Sequence, residues 1–532
     1  MKVLRNKCDD HIINHAKRTC IFLRCHKINY SQTSPAGEID HLFPPFCNII
    51  KSVKTETPLS FYLRILLVSL LIALLGLAPR PHAAARFLEN ANRFSASGDW
   101  LSASQYLANA GEYFPWRYDL FRTAGRFAMQ AGDSEAAIQY LEHTGTISHL
   151  TFDDLILLGD AYYQTGESFM AEAIWKHATT WVDSSLAYER LANLYIQRKD
   201  YISAINELQN LLTLNPANIH LYYQIGSLYA ATDPEKSLLF LIQAAEIDST
   251  NAIHAQTMHD KIRTASLFDE PAYTFLIAGR QLANWGEWNL AAEAFQHAIN
   301  LRPDYADAWA FLGESRQQIA LLETGAKSEV GFAELAQALQ LDANSTLANT
   351  FMGLYWERQE DYSQAQRYLQ QAIDTSPEDP FLYSELGNLL AKAGDLPAAH
   401  KAYASAIQLK PGDPLFYRLL AEFALQYQIQ IRELALPAAR QAITLNPNDA
   451  SSLDVMAQVM IFLQDYHSAE RFALSAVSSA PNFAPAYLHL GTAYLYLGES
   501  ELAHLWLSLA ETVNPDTWIA SQAKRMLEYY FP

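Results

Sequence analysis

The sequence predicts an all-α chain built as a solenoid of stacked helix pairs, preceded by one apolar helix long enough to cross a bilayer. Three observations carry this. A stretch such as Thr346 to Asp379, TLANTFMGLYWERQEDYSQAQRYLQQAIDTSPED, has two amphipathic halves and a stop; it recurs at about 34 residues; and Phe61 to Ala78 is almost wholly apolar. In the first half of that stretch Met352, Gly353 and Trp356 fall on one helical face, and in the second Ala365, Leu369 and Ala372 do the same. Arg358 to Asp361 separate the halves, and Pro377 ends the second because it lacks an N–H and clashes with the preceding turn. One such pair cannot bury its apolar faces alone, so copies are expected to stack.

The copies start at Ala84, Tyr118, Phe152, Ser185, Ile219, Ala272, Ala306, Thr346, Pro380, Pro414, Ala450 and Ala484. Every one has Gly or Ala at its eighth position, from Ala91 and Gly125 through Gly353 and Gly387 to Gly491. Ala recurs at the twentieth, as in Ala103, Ala137, Ala365, Ala399 and Ala503, with Leu238 and Gly331 as departures. Small residues are expected where two helix axes approach closely. This pattern resembles the tetratricopeptide repeat family, which implies a right-handed α-solenoid of about twelve helix-turn-helix repeats.

Taken in order, residues 1–58 mix Cys, His, Lys and Pro without helical or alternating periodicity and read as a disordered basic leader, or as untranslated sequence. All four cysteines, Cys8, Cys20, Cys25 and Cys47, lie in it, so the repeats hold no thiol. His11, His15, Cys20, Cys25 and His26 match no zinc-finger spacing, and no metal is expected. Residues 59–79 read as a transmembrane helix or signal anchor, with Arg64 able to snorkel from near one end. Ala83 to Ala85 resemble a signal-peptidase site or begin the first repeat helix; the second reading is preferred, because cleavage would cut into the face of Phe87, Ala91 and Phe94. Basic residues flank the span on both sides, so local charge does not orient it. An N-terminal export segment followed by the rest of the chain favours an extracytoplasmic array on a single-pass anchor.

Residues 84–250 read as five repeats and 272–515 as seven, joined by a spacer helix at 251–271 that carries His254, Met258 and His259 in packing or solvent roles. Insertions near Thr324 to Ser328 and Gln428 to Arg432 fall between paired helices, where loops lengthen at little cost. Residues 516–532 read as a capping helix, with Trp518, Ile519, Met526 and Leu527 covering the last repeat.

The 532 residues carry a net charge of −19, unevenly spread: residues 1–83 hold 11 basic and 5 acidic groups, and residues 84–532 hold 27 and 52. An array this acidic argues against nucleic acid, whose phosphates need a basic footprint. No phosphate-binding loop, HExxH, GxSxG, paired CxxC or dinucleotide GxGxxG occurs, and Asp153, Asp154 and Asp160 suit a helix start rather than a reaction. No enzyme, cofactor or small-molecule substrate is expected. Trp175, Trp309, Trp356, Tyr195 and Tyr494 fall at core positions of the repeat.

The family resemblance implies ligands held on a concave face by the second, fifth, ninth and twelfth positions of each first helix. Carried over, these include Arg122, Arg126, Asp160, Tyr163, Asn193, Arg280, Asn388, Arg418 and Glu422. The Lys and Asn pair with which some members grip a terminal carboxylate is missing, since Glu189 precedes Asn193 and Ser384 precedes Asn388. Arg122 and Arg126, one turn apart, make either an anion site or a solvated pair. The resulting expectation is a membrane-anchored scaffold for other proteins or extended peptides. The alternative is an accessory subunit of an envelope glycan or polysaccharide assembly or glycosyltransferase system.

Overall fold

A computed structural model describes residues 62–63, 65–71, 79–114, 116–145, 147–181, 184–246, 252–325, 328–515 and 517–531, and among them no strand occurs. The leader 1–58, with its Cys and His residues, lies outside the described residues. The apolar run Phe61–Ala78 is described only at 62–63 and 65–71, which are helical. Among the described residues no helix is long and apolar enough to cross a membrane. The chain divides into two compact units, one ending at Ala131 and the other beginning at Gly132.

In the first unit α1 (Pro79–Ala96), α2 (Trp100–Tyr113) and α3 (Tyr118–Gln130) pack in sequence. Helix α1 begins five residues ahead of the repeat start at Ala84, because Pro79 and Pro81 occupy a first turn whose N–H groups have no helical partner anyway. Phe94 stacks on Tyr106 with ring centroids 5.3 Å apart. Gly111 lies against Phe121 so closely that a Cβ there would stand 2.6 Å from the ring.

The second unit opens with α4 (Ser134–Glu142) and continues in pairs: α5 (Phe152–Gln164) with α6 (Ser168–Ala178), α7 (Ser185–Gln197) with α8 (Tyr201–Leu214), and α9 (Ile219–Thr232) with α10 (Pro234–Ala245). The lone α11 (Ala252–Ser266) follows. Pairing resumes with α12 (Pro271–Asn284) and α13 (Trp288–Leu301), α14 (Ala306–Thr324) and α15 (Phe332–Leu341), and α16 (Thr346–Arg358) and α17 (Tyr362–Thr375). Then come α18 (Pro380–Lys392) and α19 (Leu396–Leu409), α20 (Pro414–Gln426) and α21 (Leu436–Leu445), α22 (Ala450–Phe462) and α23 (Tyr466–Ser479), α24 (Ala484–Leu497) and α25 (Ser500–Val513), and the terminal α26 (Trp518–Tyr530).

Second helices often start on an aspartate whose side chain accepts from the backbone three residues on, as Asp200 does from Ser203 and Asp361 from Gln364, supplying a partner for an otherwise orphan N–H. The small residues do what their spacing requires. Ala137, Ala171, Ala204, Ala365, Ala399 and Ala469 are fully buried, and a Cβ on Gly353 would stand 2.9 Å from Leu369.

The two departures resolve differently. In the α9/α10 pair Asp233 ends one helix and caps the next, so the joint is a residue short and buried Ser237, not Leu238, takes the alanine's place. In the α14/α15 pair Gly331 does stand where Ala365 stands, with Leu335 in the role of Leu369 against Gly313. The inserted residues are absorbed by a lengthened α14 there, and at Gln428 to Ala435 by positive φ at Gln428 and Gln430 followed by a π turn.

The spacer helix buries Ala255, Met258 and Ile262 in the same apolar core as the repeats on either side. His259 is buried with Nδ1 3.0 Å from Asp260, and His254 stacks on Trp285 at 4.7 Å. On the terminal helix Ile519, Met526 and Leu527 pack on the last pair as the pattern requires. Trp518 does not: it begins the helix just after the capping Thr517 and is 68% exposed.

Candidate functional site

The first-helix positions assigned from the repeat register fall in several places. Arg122 and Arg126 are half-buried on α3 of the first unit. Nearby, the Arg117 guanidinium hydrogen-bonds the Asp119 carboxyl and holds it below its usual range, with the Arg122 charge adding to the effect. Arg122 thus stands in an ion-paired neighbourhood rather than as an isolated cation. The early acidic residues of α5 are structural in part: Asp154 is buried and closes a capping box with Thr151, whose N–H donates to it at 3.0 Å.

In the second unit Asp160, Tyr163 and Asn193 come together in a cleft of about 310 Å³ between α5 and α7, floored by Trp175. Arg190 donates to both Asp160 oxygens, at 2.9 and 3.3 Å, and the Tyr163 hydroxyl donates to Gln197. Arg280 lies apart from these. Exposed on α12, it sits 5.4 Å over the Phe311 ring and lines a cleft of about 370 Å³ with Asp260, Lys261 and Tyr273.

Asn388 and Glu422 share a third cleft, of about 250 Å³, between α18 and α20, and Arg418 donates to Glu422 at 2.6 Å from one turn back. This cleft belongs to a longer ladder of charged groups. Arg358 donates to both oxygens of Glu314, at 2.8 and 2.6 Å, and Lys392 donates to Glu357 at 2.5 Å. At the far end His489 meets Asp454 at 2.7 Å. The side chains of Glu314, Glu357 and Asp454 are 8, 9 and 8% exposed, and Arg358 and Lys392 reach in from more exposed positions, whereas His489 is itself largely buried.

Glu385, in the middle, makes no side-chain hydrogen bond among the described residues. Burial, then the neighbouring Glu357 charge, push its pKa up, against the pull of Lys392 and Arg358. Burial does the same to Glu422, with Arg418 opposing. Burial works against the charged form of His489, and the Asp454 carboxylate outweighs it, so that pKa is raised. Tyr403, under the cleft, has its hydroxyl pKa raised by burial first and by the surrounding carboxylates second. Such a face can hold cations and hydrogen-bond donors. Among the described residues no three His, Cys, Asp or Glu side chains gather to hold a metal.

Seven of the ladder's groups, Glu314, Glu357, Arg358, Glu385, Lys392, Asp454 and His489, are absent from the register-based set. Glu314, Glu357 and Asp454 could have been found, since they occupy the ninth, twelfth and fifth places of their first helices. Glu385 and His489 stand at the sixth place, one residue off the expected face, and carry no comparable signal.

Models of the tetratricopeptide repeat match residues 358–423, which run from the end of α16 into α20, and residues 186–218, which cover α7 and α8. The chain is similar to the human Cell division cycle protein 16 homolog, 23% identical over 221 residues, 38% of this chain and 33% of that protein. It is also similar to the BBSome complex member BBS4 homolog of Drosophila melanogaster, 22% identical over 329 residues, 59% of this chain and 62% of that protein. It therefore spans between about a third and three fifths of these relatives. The structure of yeast Tom70 superposes with a TM-score of 0.42 at 14% identity, covering 85% of this chain and 96% of that one. Residues 186–218 and 358–423 are tetratricopeptide repeats, set within an all-helical array of paired helices.

Proposed function

We propose that this chain is a membrane-anchored, non-enzymatic scaffold that holds extended segments of other proteins along the first-helix face of its repeats. The observation that carries the reading is the placement of polar and charged side chains on that face, in clefts between successive first helices, while the apolar residues of the same helices are spent on the core. Residues 84–250 and 272–515 act as two runs of repeats, with 251–271 between them. Asp160, Tyr163, Asn193, Arg280, Asn388, Arg418 and Glu422 are contact positions in the second unit, and Arg122 with Arg126 are contact positions in the first. The apolar run Phe61–Ala78 supports the anchor. An export segment ahead of the array supports placing the repeats outside the cytoplasm.

Tyr163 and Asn193 are both exposed, so the pair can be changed without touching the core. Quantitative capture from detergent extracts by the full chain is expected to lose partner proteins in the Tyr163→Lys/Asn193→Lys variant at unchanged helicity. Equal recovery by the two proteins would move the binding surface off this face.

A further inference from the structure

We propose that the cleft between α11 and α12 seats a carboxylate side chain of a partner segment, with an apolar side chain of the same segment beside it. The inference rests on the scaffold reading above and names the chemistry of one contact within it.

The cleft lies where the repeat phase breaks. Helix α11 spends Ala255, Met258 and Ile262 on the core, which leaves Lys261, Thr264, Ala265 and Phe268, spaced as one helical stripe, to face Tyr273, Ile277, Arg280, Gln281 and Asn284 of α12. The two stripes do not close on each other and leave about 370 Å³ between them.

This space is lined by donors that lack acceptors. Lys261 and Arg280 are exposed and make no ion pair among the described residues; Arg280 rests over the Phe311 ring at 5.4 Å. The one carboxylate at the rim, Asp260, is already taken: Gln256 donates to one of its oxygens at 2.9 Å, and His259 Nδ1 stands 3.0 Å from the other. Gln281 is the independent sign of a ligand. It lines the cleft, is 3% exposed, and makes no side-chain hydrogen bond among the described residues. Its Oε1 is sealed and its Nε2 is not, so the amide offers the cleft its N–H donors. A buried amide left unpaired is costly, and a native site that keeps one has a ligand or a role for it.

The group that answers an ammonium, a guanidinium and an amide N–H together must accept hydrogen bonds and carry negative charge. Two cations against the one carboxylate of Asp260 leave a single positive charge among the lining groups, which a carboxylate matches and a phosphate dianion exceeds. The other end of the cleft is apolar. Phe268 is 67% exposed and meets Tyr273 edge-on at 5.5 Å, with Ile277 one turn further along α12. Tyr273 and Arg280 are about 10 Å apart along their helix, which an extended segment covers in about three residues. An apolar side chain at that spacing from the acid meets the exposed ring.

The test uses the full chain in detergent and unlabelled, end-blocked Gly/Ser peptides that carry one Glu with a Phe three residues to each side. Companion peptides replace the Glu by Gln or by phosphoserine, or both Phe by Ser. Isothermal titration calorimetry is expected to show the Glu peptide binding at least tenfold tighter than the Gln peptide, and several-fold tighter than the phosphoserine peptide and the peptide without Phe. Lys261→Gln/Arg280→Gln, at two exposed positions, is expected to cost the Glu peptide at least tenfold. Lys524→Gln/Arg525→Gln, which removes the same charge from two exposed residues of α26, is expected to cost less than twofold. Gln281→Leu is expected to raise the melting temperature and still weaken the Glu peptide several-fold, a combination that a purely structural glutamine does not give. A Glu peptide that binds no better than the Gln peptide overturns the anion assignment, a phosphoserine peptide that binds as well overturns the carboxylate, and a peptide without Phe that binds as well overturns the apolar contact. Equal losses in the two double glutamine variants, or full Glu-peptide affinity in Gln281→Leu, overturn the cleft. Should any of these occur while Tyr163→Lys/Asn193→Lys still abolishes partner capture, the scaffold reading stands without this contact, because that pair lies in a different cleft.

Discussion

At Glu385 burial and charge work against each other. The side chain lies on a first helix among other carboxylates, and its folded pKa is raised above the ordinary glutamate value of 4.5, by burial first and by Glu357 second. An acid whose folded pKa is raised binds more protons folded than unfolded, so its contribution to stability is full below the unfolded value and is lost as pH rises through the folded one. Folding therefore carries a penalty for an ionised Glu385 at neutral pH. Glu385→Gln is expected to raise the melting temperature at pH 7 and to flatten its fall between pH 4.5 and pH 7, with no gain at pH 4. Thermal denaturation of wild type and variant across that range checks it; a melting temperature at pH 7 that drops on substitution would show the carboxylate to be stabilising. Little of this was legible in the sequence. The register finds Asn388, Arg418 and Glu422 because they stand at repeat positions, but Arg358 answers Glu314 from 44 residues away and Lys392 answers Glu357 from 35 away. Which cation reaches which acid depends on how successive first helices are offset, and periodicity does not encode that offset.

At the scale of the element, most of the array was legible, and for a physical reason. A pair of helices in close contact needs a small residue at the crossing, and that need repeats with the pair, so Gly353 against Leu369 and Gly387 against Tyr403 are the same contact 34 residues apart. The misread places are those where the joint between helices changed length. Asp233 shortens one joint and shifts the buried small residue to Ser237, and Pro79 starts α1 ahead of its repeat. The stretch 251–271 looked like a break in phase, yet α11 is out of register and still in the core: Met258 and Ile262 are fully buried in the cluster that runs from Leu141 to Leu312. Met258→Ala is accordingly expected to destabilise the chain by roughly 2–5 kcal/mol, as other deletions of a fully buried long side chain do. A denaturant midpoint that does not move would mark α11 as a loosely held linker.

For the whole molecule, charge and hydropathy divide the chain into parts that suit different surroundings. Residues 1–83 carry an excess of six positive charges and the single long apolar run, while residues 84–532 carry 25 more acidic than basic groups. In a bilayer a segment of the first composition would gain from the apolar phase and from anionic headgroups near its basic flanks, whereas the same headgroups would repel residues of the second. If Phe61–Ala78 is retained as an anchor, the mature protein is expected to stay in the membrane pellet through an alkaline carbonate wash and to leave it only with detergent. N-terminal sequencing of the pelleted chain is expected to begin ahead of Phe61. The contrary outcome is specific: a washed-out, soluble product beginning at Arg86 means cleavage after Ala85. Such a chain would lack the start of α1, including buried Ala84, and its first unit would have to close on what remains of that helix.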